Sequence, residues 1–234
     1  MRSMIGLATI LLLLCCAVTG SASSDLPPTL SSLVPGDRRA EVESILEDPT
    51  FVRQLDFQVC ADVRVYTFLL DHPDLNADLA RALGVAPYEM VKVAPGKYFG
   101  NDGAGNVGTV EVFGGMEPVR VFLEKGVSPG WSFGDIAGRV VALLTFSPEE
   151  QRVRGTVTVW ARIDQGAVDV LLRVFRPMLG GFLDRKLREQ FNVAAAVAES
   201  AAQHPDRVCP VLESGAGTSV DDRDALARLA GCQF

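Results

Sequence analysis

Ser132 has the clearest catalytic context in the chain. It is the central residue of Gly130-Trp131-Ser132-Phe133-Gly134, which matches the G-x-S-x-G pattern of a nucleophile elbow. His204 follows in the chain order that an α/β-hydrolase requires, with Asp164, Asp169 and Asp184 between the two. The residues before the pattern do not form a buried strand, and those after it resemble a strand instead of a helix. A glycine-rich loop is therefore the preferred interpretation, and a serine hydrolase using Ser132 and His204 is an alternative.

A second glycine pattern, Gly103-Ala104-Gly105-Asn106-Val107-Gly108, matches G-x-G-x-x-G. Dinucleotide binding requires such glycines at the start of a helix, where backbone amides face a pyrophosphate. Here they precede Thr109-Val110-Glu111-Val112, which alternates like a strand, so we expect a hairpin turn. The two histidines, His72 and His204, show no metal-ligand spacing with any cysteine. We therefore expect no metal site and no cofactor.

Two cysteines lie near the C-terminus and are candidates for a disulfide. Cys209 and Cys232 flank the last segment of the chain, and closing their loop would contribute roughly 3 kcal/mol. Cys60 lies in an apolar strand pattern and is expected to act as a small hydrophobic residue. Cys209–Cys232 is the preferred pair, and Cys60–Cys209 is the rival pairing.

The N-terminus predicts an export signal. Arg2 precedes an uncharged apolar run of fourteen residues, Ile5 to Val18, and Gly20-Ser21-Ala22 supplies small residues for cleavage. The run is shorter than the roughly twenty residues that a membrane-spanning helix needs. We expect cleavage after Ala22 and a periplasmic protein in a Gram-negative host, or a secreted protein elsewhere.

The composition bounds the class of partner. The chain has 234 residues, of which 48% are hydrophobic, and its net charge is −7. An acidic chain without a basic block is a poor ligand for nucleic acid. We expect no nucleic-acid partner.

The apolar spacing predicts the order of elements. A short helix is expected around Ala40 to Leu46, a strand at Leu55 to Cys60, and helices across Val63 to Leu83 with a break near His72-Pro73. Five strands should follow in an antiparallel meander. Their predicted bounds are Tyr88 to Val93, Val107 to Phe113, Pro118 to Glu124, Arg139 to Phe146 and Arg152 to Ile163.

The last third of the chain changes period. Gly155 to Ile163 alternates with the period of two that is typical of a half-buried strand. Past Gly166, apolar residues recur every three or four positions as far as Ala201, which predicts one helix of more than thirty residues. Such a helix lying on a sheet encloses either a solid core or a ligand cavity.

This order resembles the START-like superfamily, also called SRPBCC or helix-grip proteins, from about Leu55 to Ala202. The resemblance rests on Phe57-Gln58-Val59-Cys60-Ala61-Asp62 running into Val63 to Asp71, and on Gly155-Thr156-Val157-Thr158-Val159-Trp160 before the long helix. It implies an α+β fold in which a curved antiparallel sheet grips a long C-terminal helix. An N-terminal helical segment and a disulfide-capable C-terminal tail are additions to it. The implied division is a signal peptide (1–22), a leader with a short helix (23–50), a START-like domain (51–204) and a tail (205–234).

The resemblance implies a non-enzymatic, exported binder or carrier of a hydrophobic or lipid-like molecule, with transient membrane contact as a further expectation. The ligand would lie between sheet and helix. The predicted ligand-contacting residues are Val110, Val112, Val119, Val121, Val157 and Val159 of the sheet, and Leu172, Phe175, Leu179 and Phe182 of the helix. The alternative to a carrier is an exported structural or interaction module with a solid core.

Overall fold

A computed structural model describes residues 28–114, 118–129, 135–164, 166, 187–189, 191–215 and 218–233. The elements follow one another as α1 (Pro28–Leu33), α2 (Gly36–Glu47), β1 (Phe51–Val59), α3 (Val63–Asp71), α4 (Pro73–Ala82), β2 (Glu89–Ala94), β3 (Lys97–Asn101), β4 (Val107–Phe113), β5 (Val119–Ser128), β6 (Ile136–Glu149) and β7 (Arg152–Ile163). Residues 187–189 and 191–203 are helical, and we label 191–203 α5. Two further helices close the chain, α6 (Pro205–Ser214) and α7 (Val220–Leu229).

The seven strands form one antiparallel sheet in the order β1-β7-β6-β5-β4-β3-β2. The predicted meander is therefore confirmed from β4 to β7. The sequence prediction missed β3, which is only five residues long and pairs with β2 across a tight turn. The first strand lies at one edge of the sheet and the second at the opposite edge, with α3 and α4 connecting them.

The predicted break between α3 and α4 is confirmed. The Asp62 carboxylate caps α3 by accepting a hydrogen bond from the Arg64 amide at 2.7 Å. Pro73 occupies the first turn of α4, where a missing amide proton costs nothing. Gly84 follows α4 with φ +71°, a conformation that glycine adopts without strain.

Helices cover both faces of the sheet. We call the face against α3, α4, α5 and α6 the inner face; its core includes Leu69, Leu79, Leu144, Val157 and Val197. The outer face lies against α1 and α2, where a second cluster joins Leu30, Val42 and Ile45 to Val121, Leu123 and Val141. Helices α1 and α2, which precede residue 50, therefore pack on the sheet. Ion pairs join α2 to outer-face strand residues, including Lys125 to Glu41 at 2.7 Å.

The C-terminal segment is helical and shares the inner core. Val208 and Leu212 of α6, and Leu226 and Ala227 of α7, belong to the inner cluster. The predicted disulfide between Cys209 and Cys232 is present and links α6 to the end of α7. Cys60 is a free cysteine, so the rival pairing is wrong.

The described part of α5 packs on the sheet as the helix stripe predicted. Val193, Ala194, Val197, Ala198 and Ala201 lie in the inner cluster with strand residues of β6 and β7. Leu187 and Phe191 pack against the same cluster and stay partly exposed. The α+β arrangement of a curved sheet holding a C-terminal helix is therefore confirmed.

Candidate ligand site on the inner face

Strand register decides which predicted site residues share a face. Val157 and Val159 are buried on the inner face. Val110 and Val112 share that face, because Val112 is the direct partner of Phe122, and Phe122 packs against the inner cluster. These four predicted residues are brought to one side of the sheet, as the ligand hypothesis requires.

Val119 and Val121 lie on the opposite face. Val121 belongs to the outer cluster beneath α1 and α2, and Val119, two residues earlier in the same strand, points to the same side. The structure therefore does not bring these two residues to the other four. In β5 the inner-face residues include Arg120, Phe122 and Glu124, which the sequence prediction missed.

Val119 and Val121 were assigned to the wrong face because both faces of β5 are covered. In a sheet with one wet face, the charged residues of an alternating strand mark the outside. Here Arg120 and Glu124 alternate with Val121 and Leu123, yet both charged side chains point to the inner face. An alternating pattern shows that a segment is a strand. It shows which residues face the core only when one face of the sheet is exposed to solvent.

Arg120 is buried, and each of its three guanidinium nitrogens donates a hydrogen bond. Its side chain is 2% exposed, with Nε donating to Asp71 Oδ1 at 2.6 Å and Nη2 donating to Oδ2 at 2.9 Å. The third contact runs from Nη1 to the carbonyl oxygen of Val119 at 2.9 Å. Buried arginines require such partners, so this pair ties the end of α3 to the middle of the sheet.

Tyr98 completes this polar group. Its hydroxyl donates to the carbonyl oxygen of Asp71 at 2.9 Å. Burial, together with the negative charges of Asp74, Asp222 and Asp71, raises the pKa of Tyr98 to about 12. The hydroxyl therefore stays protonated at neutral pH and acts as a structural donor.

The inner face has a filled half and a partly exposed half. Residues of β7 and β6 near α5, such as Val157, Val159 and Leu144, are buried. Toward β4, the residues Val110, Val112, Phe122 and Val140 are each partly exposed, although they lie on the same inner face. A mostly apolar floor with exposed surface is the kind of surface that accepts a hydrophobic ligand.

Four glycines extend this floor. Gly100, Gly108, Gly126 and Gly138 are successive cross-strand partners from β3 to β6, so they form one row across the inner face, which we call the glycine row. A Cβ on Gly108 would lie 2.4 Å from the Lys125 carbonyl oxygen, so that position requires glycine. A Cβ on Gly126 would meet only the Val107 carbonyl oxygen, at 3.4 Å, which leaves open space above the strand.

Glu124 stands beside the glycine row. Its direct partners are Val110 in β4 and Val140 in β6, both apolar. Its residue keeps some exposed surface, while burial raises the pKa of its carboxyl group. Glu124 therefore lies among apolar neighbours on the partly exposed half of the inner face. No arginine or lysine among the described residues forms an ion pair with it.

The negative charge of Glu124 also affects the hydroxyl group of Tyr88. It packs against the inner cluster between α4 and β2. Burial raises the pKa of Tyr88, and the negative charges of Asp102, Glu189 and Glu124 raise it further. Glu189 belongs to the helical residues 187–189, so the sheet and the C-terminal helix both contribute carboxylates near this aromatic ring.

A separate open hollow of about 850 Å³ lies at the other end of the central strands. Its lining includes Val119, Thr145, Thr156 and Arg154. Thr145 and Thr156 face outward with Val119, and their hydroxyl groups bond to each other at 2.9 Å. This wide, open surface lacks the enclosure that a hydrophobic ligand needs.

The remaining sequence hypotheses fall in different places. Ser132, Leu172, Phe175, Leu179, Phe182 and the predicted signal peptide lie outside the described residues. His204 is exposed at the start of α6, and the Asp164 carboxylate accepts two hydrogen bonds from Arg139, at 2.6 and 3.0 Å. The G-x-G-x-x-G segment connects β3 to β4 as a hairpin loop, as predicted.

That hairpin loop is held by its own side chains. The Asp102 carboxylate accepts from the amides of Ala104 and Asn106 at 2.8 and 3.0 Å, and Gly103 and Gly105 adopt positive φ. Within the described part of the chain, no group of histidine, cysteine, aspartate or glutamate residues could hold a metal ion. Across the same ranges, no helix has the length and apolar character to cross a membrane.

The order of elements agrees with the predicted resemblance: one strand, two helices, six antiparallel strands, then a helix on the inner face. No protein-family model matches the sequence, and no curated protein does.

Solved structures provide the likenesses. A START superfamily protein from Mycobacterium smegmatis is 10% identical, with a TM-score of 0.47 over 64% of this chain and 97% of that one. The Zhui aromatase/cyclase from Streptomcyes sp. R1128 is 15% identical, with a TM-score of 0.42 over 66% and 98%. A conserved protein from Geobacillus kaustophilus is 15% identical, with a TM-score of 0.47 over 64% and 97%.

Proposed function

We propose that this chain is an exported, non-enzymatic binder or carrier of a hydrophobic molecule. The observation that carries the proposal is the partly exposed apolar floor of the inner face, formed by Val110, Val112, Phe122 and Val140. A core residue at the centre of a sheet normally excludes solvent, and these four do not. A bound apolar molecule would cover them and recover the hydrophobic free energy of that surface.

Export is part of the same proposal. The apolar run behind Arg2 supports a cleaved signal, and the Cys209–Cys232 disulfide supports an oxidising compartment. The intact mass of the protein recovered from its host tests this. A mature chain that begins at Ser23 supports export, and a chain that keeps residues 1–22 in the cytosolic fraction contradicts it.

Native mass spectrometry tests ligand binding. The protein is purified without detergent, its mass is measured under native conditions, and any bound molecule is extracted and identified. We expect a stoichiometric hydrophobic adduct. A protein that stays bare after incubation with mixed lipid vesicles would contradict the carrier.

A variant that adds a side chain to this floor gives a sharper test of ligand binding. Gly126→Leu places a side chain on the inner floor, where only the Val107 carbonyl oxygen lies within 4 Å of the new Cβ. Val127→Leu is the matched control, because the neighbouring residue points to the outer face and is already exposed. We expect the adduct to be lost in Gly126→Leu and kept in Val127→Leu.

A second candidate function is an interaction module. The outer face of β2 and β3 carries Val91 and Phe99 as direct partners, which are 62% and 45% exposed. Exposed apolar patches of this kind mark protein contacts. A bare protein that sediments as a defined oligomer, and becomes monomeric on Phe99→Ser, would favour this function over the carrier.

A further inference from the structure

The partly exposed floor of the inner face includes an ionisable side chain, that of Glu124. Glu124 is the one ionisable side chain whose direct partners on both neighbouring strands are the apolar floor residues Val110 and Val140. The next row toward the strand ends is the glycine row, with open space at Gly126. A ligand group resting on the glycines would therefore lie against the Glu124 carboxyl group.

Other negative charges lie in the same region of the molecule as Glu124. Three carboxylates, those of Glu124, Glu189 and Asp102, act on the Tyr88 hydroxyl, and they come from β5, the C-terminal helix and the β3–β4 loop. Among the described residues no cation neutralises Glu124. Lys92 shares the inner face at the edge strand β2, where it is exposed.

We propose that Glu124 forms a site for the positively charged amine group of a hydrophobic ligand. This inference rests on the proposed function and specifies the ligand class. An ammonium group supplies the missing positive charge to a carboxylate in poorly solvated surroundings, where ion pairs are stronger than in water. The same charges repel a carboxylate or phosphate head group.

The test compares three ligands that share one apolar chain. Decylammonium, 1-decanol and decanoate each displace the uncharged dye N-phenyl-1-naphthylamine from the full chain at pH 7. We expect decylammonium to bind about tenfold more tightly than decanol, which corresponds to one ion pair worth about 1.4 kcal/mol. Decanoate should bind more weakly than decanol.

Three variants distinguish amine binding at Glu124 from a general effect of the protein's net negative charge. Glu124→Gln keeps the shape and removes the charge, so it should bind decylammonium no more tightly than decanol, with decanol affinity unchanged. Glu189→Gln, at an exposed position, should lose part of the preference. Glu213→Gln removes one exposed charge from α6 and should bind like the wild type.

The outcomes distinguish the two proposals. Equal binding of decylammonium and decanol by the wild type, or an amine preference that survives Glu124→Gln, overturns the amine site and leaves the carrier in place. If neither the dye nor any of the three ligands binds, the proposed function fails and the amine site fails with it.

Discussion

Arg120 and Asp71 form the most enclosed ion pair described in this protein. The guanidinium group uses two nitrogens on one carboxylate and a third on a backbone carbonyl oxygen. Desolvation makes such a pair costly to assemble, and removing one partner leaves the other charge without compensation. The pair therefore contributes mainly by fixing how α3 sits on the sheet.

Replacing Arg120 tests that dependence. Arg120→Ala should lower the free energy of unfolding by about 3 kcal/mol, because Asp71 then loses its partner. Arg139→Ala, which breaks the more exposed pair with Asp164, is the matched control and should cost less than about 1 kcal/mol. Urea unfolding measures both. Equal losses in the two variants would show that enclosure of the pair does not matter.

Gly155 provides a second test at the level of one atom. A Cβ there would lie 2.3 Å from the Thr145 carbonyl oxygen and 2.7 Å from the Phe57 ring. Gly155→Ala should therefore lower the free energy of unfolding by about 2 kcal/mol, through displacement of β6 and of this ring. Gly126→Ala, with only a 3.4 Å contact, should change it little. Thermal unfolding of the two variants gives the comparison.

Elements differ in how far the sequence predicts them. β4 and β7 have the predicted bounds, because turn residues flank clear alternation on both sides. The C-terminal segment was expected only as a tail, yet it forms α6 and α7. Pro205 and Pro210 suggest a break, but Pro205 lies in the first turn of α6, where proline is tolerated.

The candidate site was predicted in part. Four of the six strand valines share the inner face, whereas Val119 and Val121 lie on the outer face. The inner-face position of Glu124 could not be predicted, because a single charged residue in an alternating strand normally faces solvent. Only cross-strand pairing with Val110 and Val140 places it among apolar neighbours.

The disulfide acts between elements, joining α6 to the end of α7. Replacing both Cys209 and Cys232 with serine should lower the free energy of unfolding by roughly 3 kcal/mol, since the unfolded chain gains the freedom of the opened loop. Cys60→Ser, at the free cysteine, is the control and should cost less. Guanidinium unfolding of both variants tests this. A larger loss at Cys60 would assign the stabilising role to that residue.

For the whole molecule, Glu124 links stability to pH. Because burial raises the pKa of Glu124 in the folded state, the unfolded chain releases this proton first as pH rises. Stability should therefore fall as pH rises from the ordinary glutamate pKa through the raised one. Glu111 has the opposite sign: burial would raise its pKa, but hydrogen bonds from Arg38 and Lys97 lower it below the ordinary value.

Comparison of the wild type with Glu124→Gln isolates the contribution of Glu124 to the pH dependence of stability. The free energy of unfolding of wild type is subtracted from that of Glu124→Gln across a pH series. We expect the difference to grow in favour of the variant as pH rises, because glutamine cannot ionise. A difference that stays constant with pH would mean that the carboxyl group titrates alike in the folded and unfolded states.

The position of β1 sets the timing of folding. β1 lies at an edge of the sheet, and its one neighbouring strand is β7, which ends at Ile163. A chain that emerges from a ribosome or a translocation channel N-terminus first exposes β1 long before its partner arrives. Strands β2 to β7 pair with sequence neighbours and can assemble by local hairpins. The sheet is therefore completed late, and during synthesis the apolar side of β1 needs protection from aggregation.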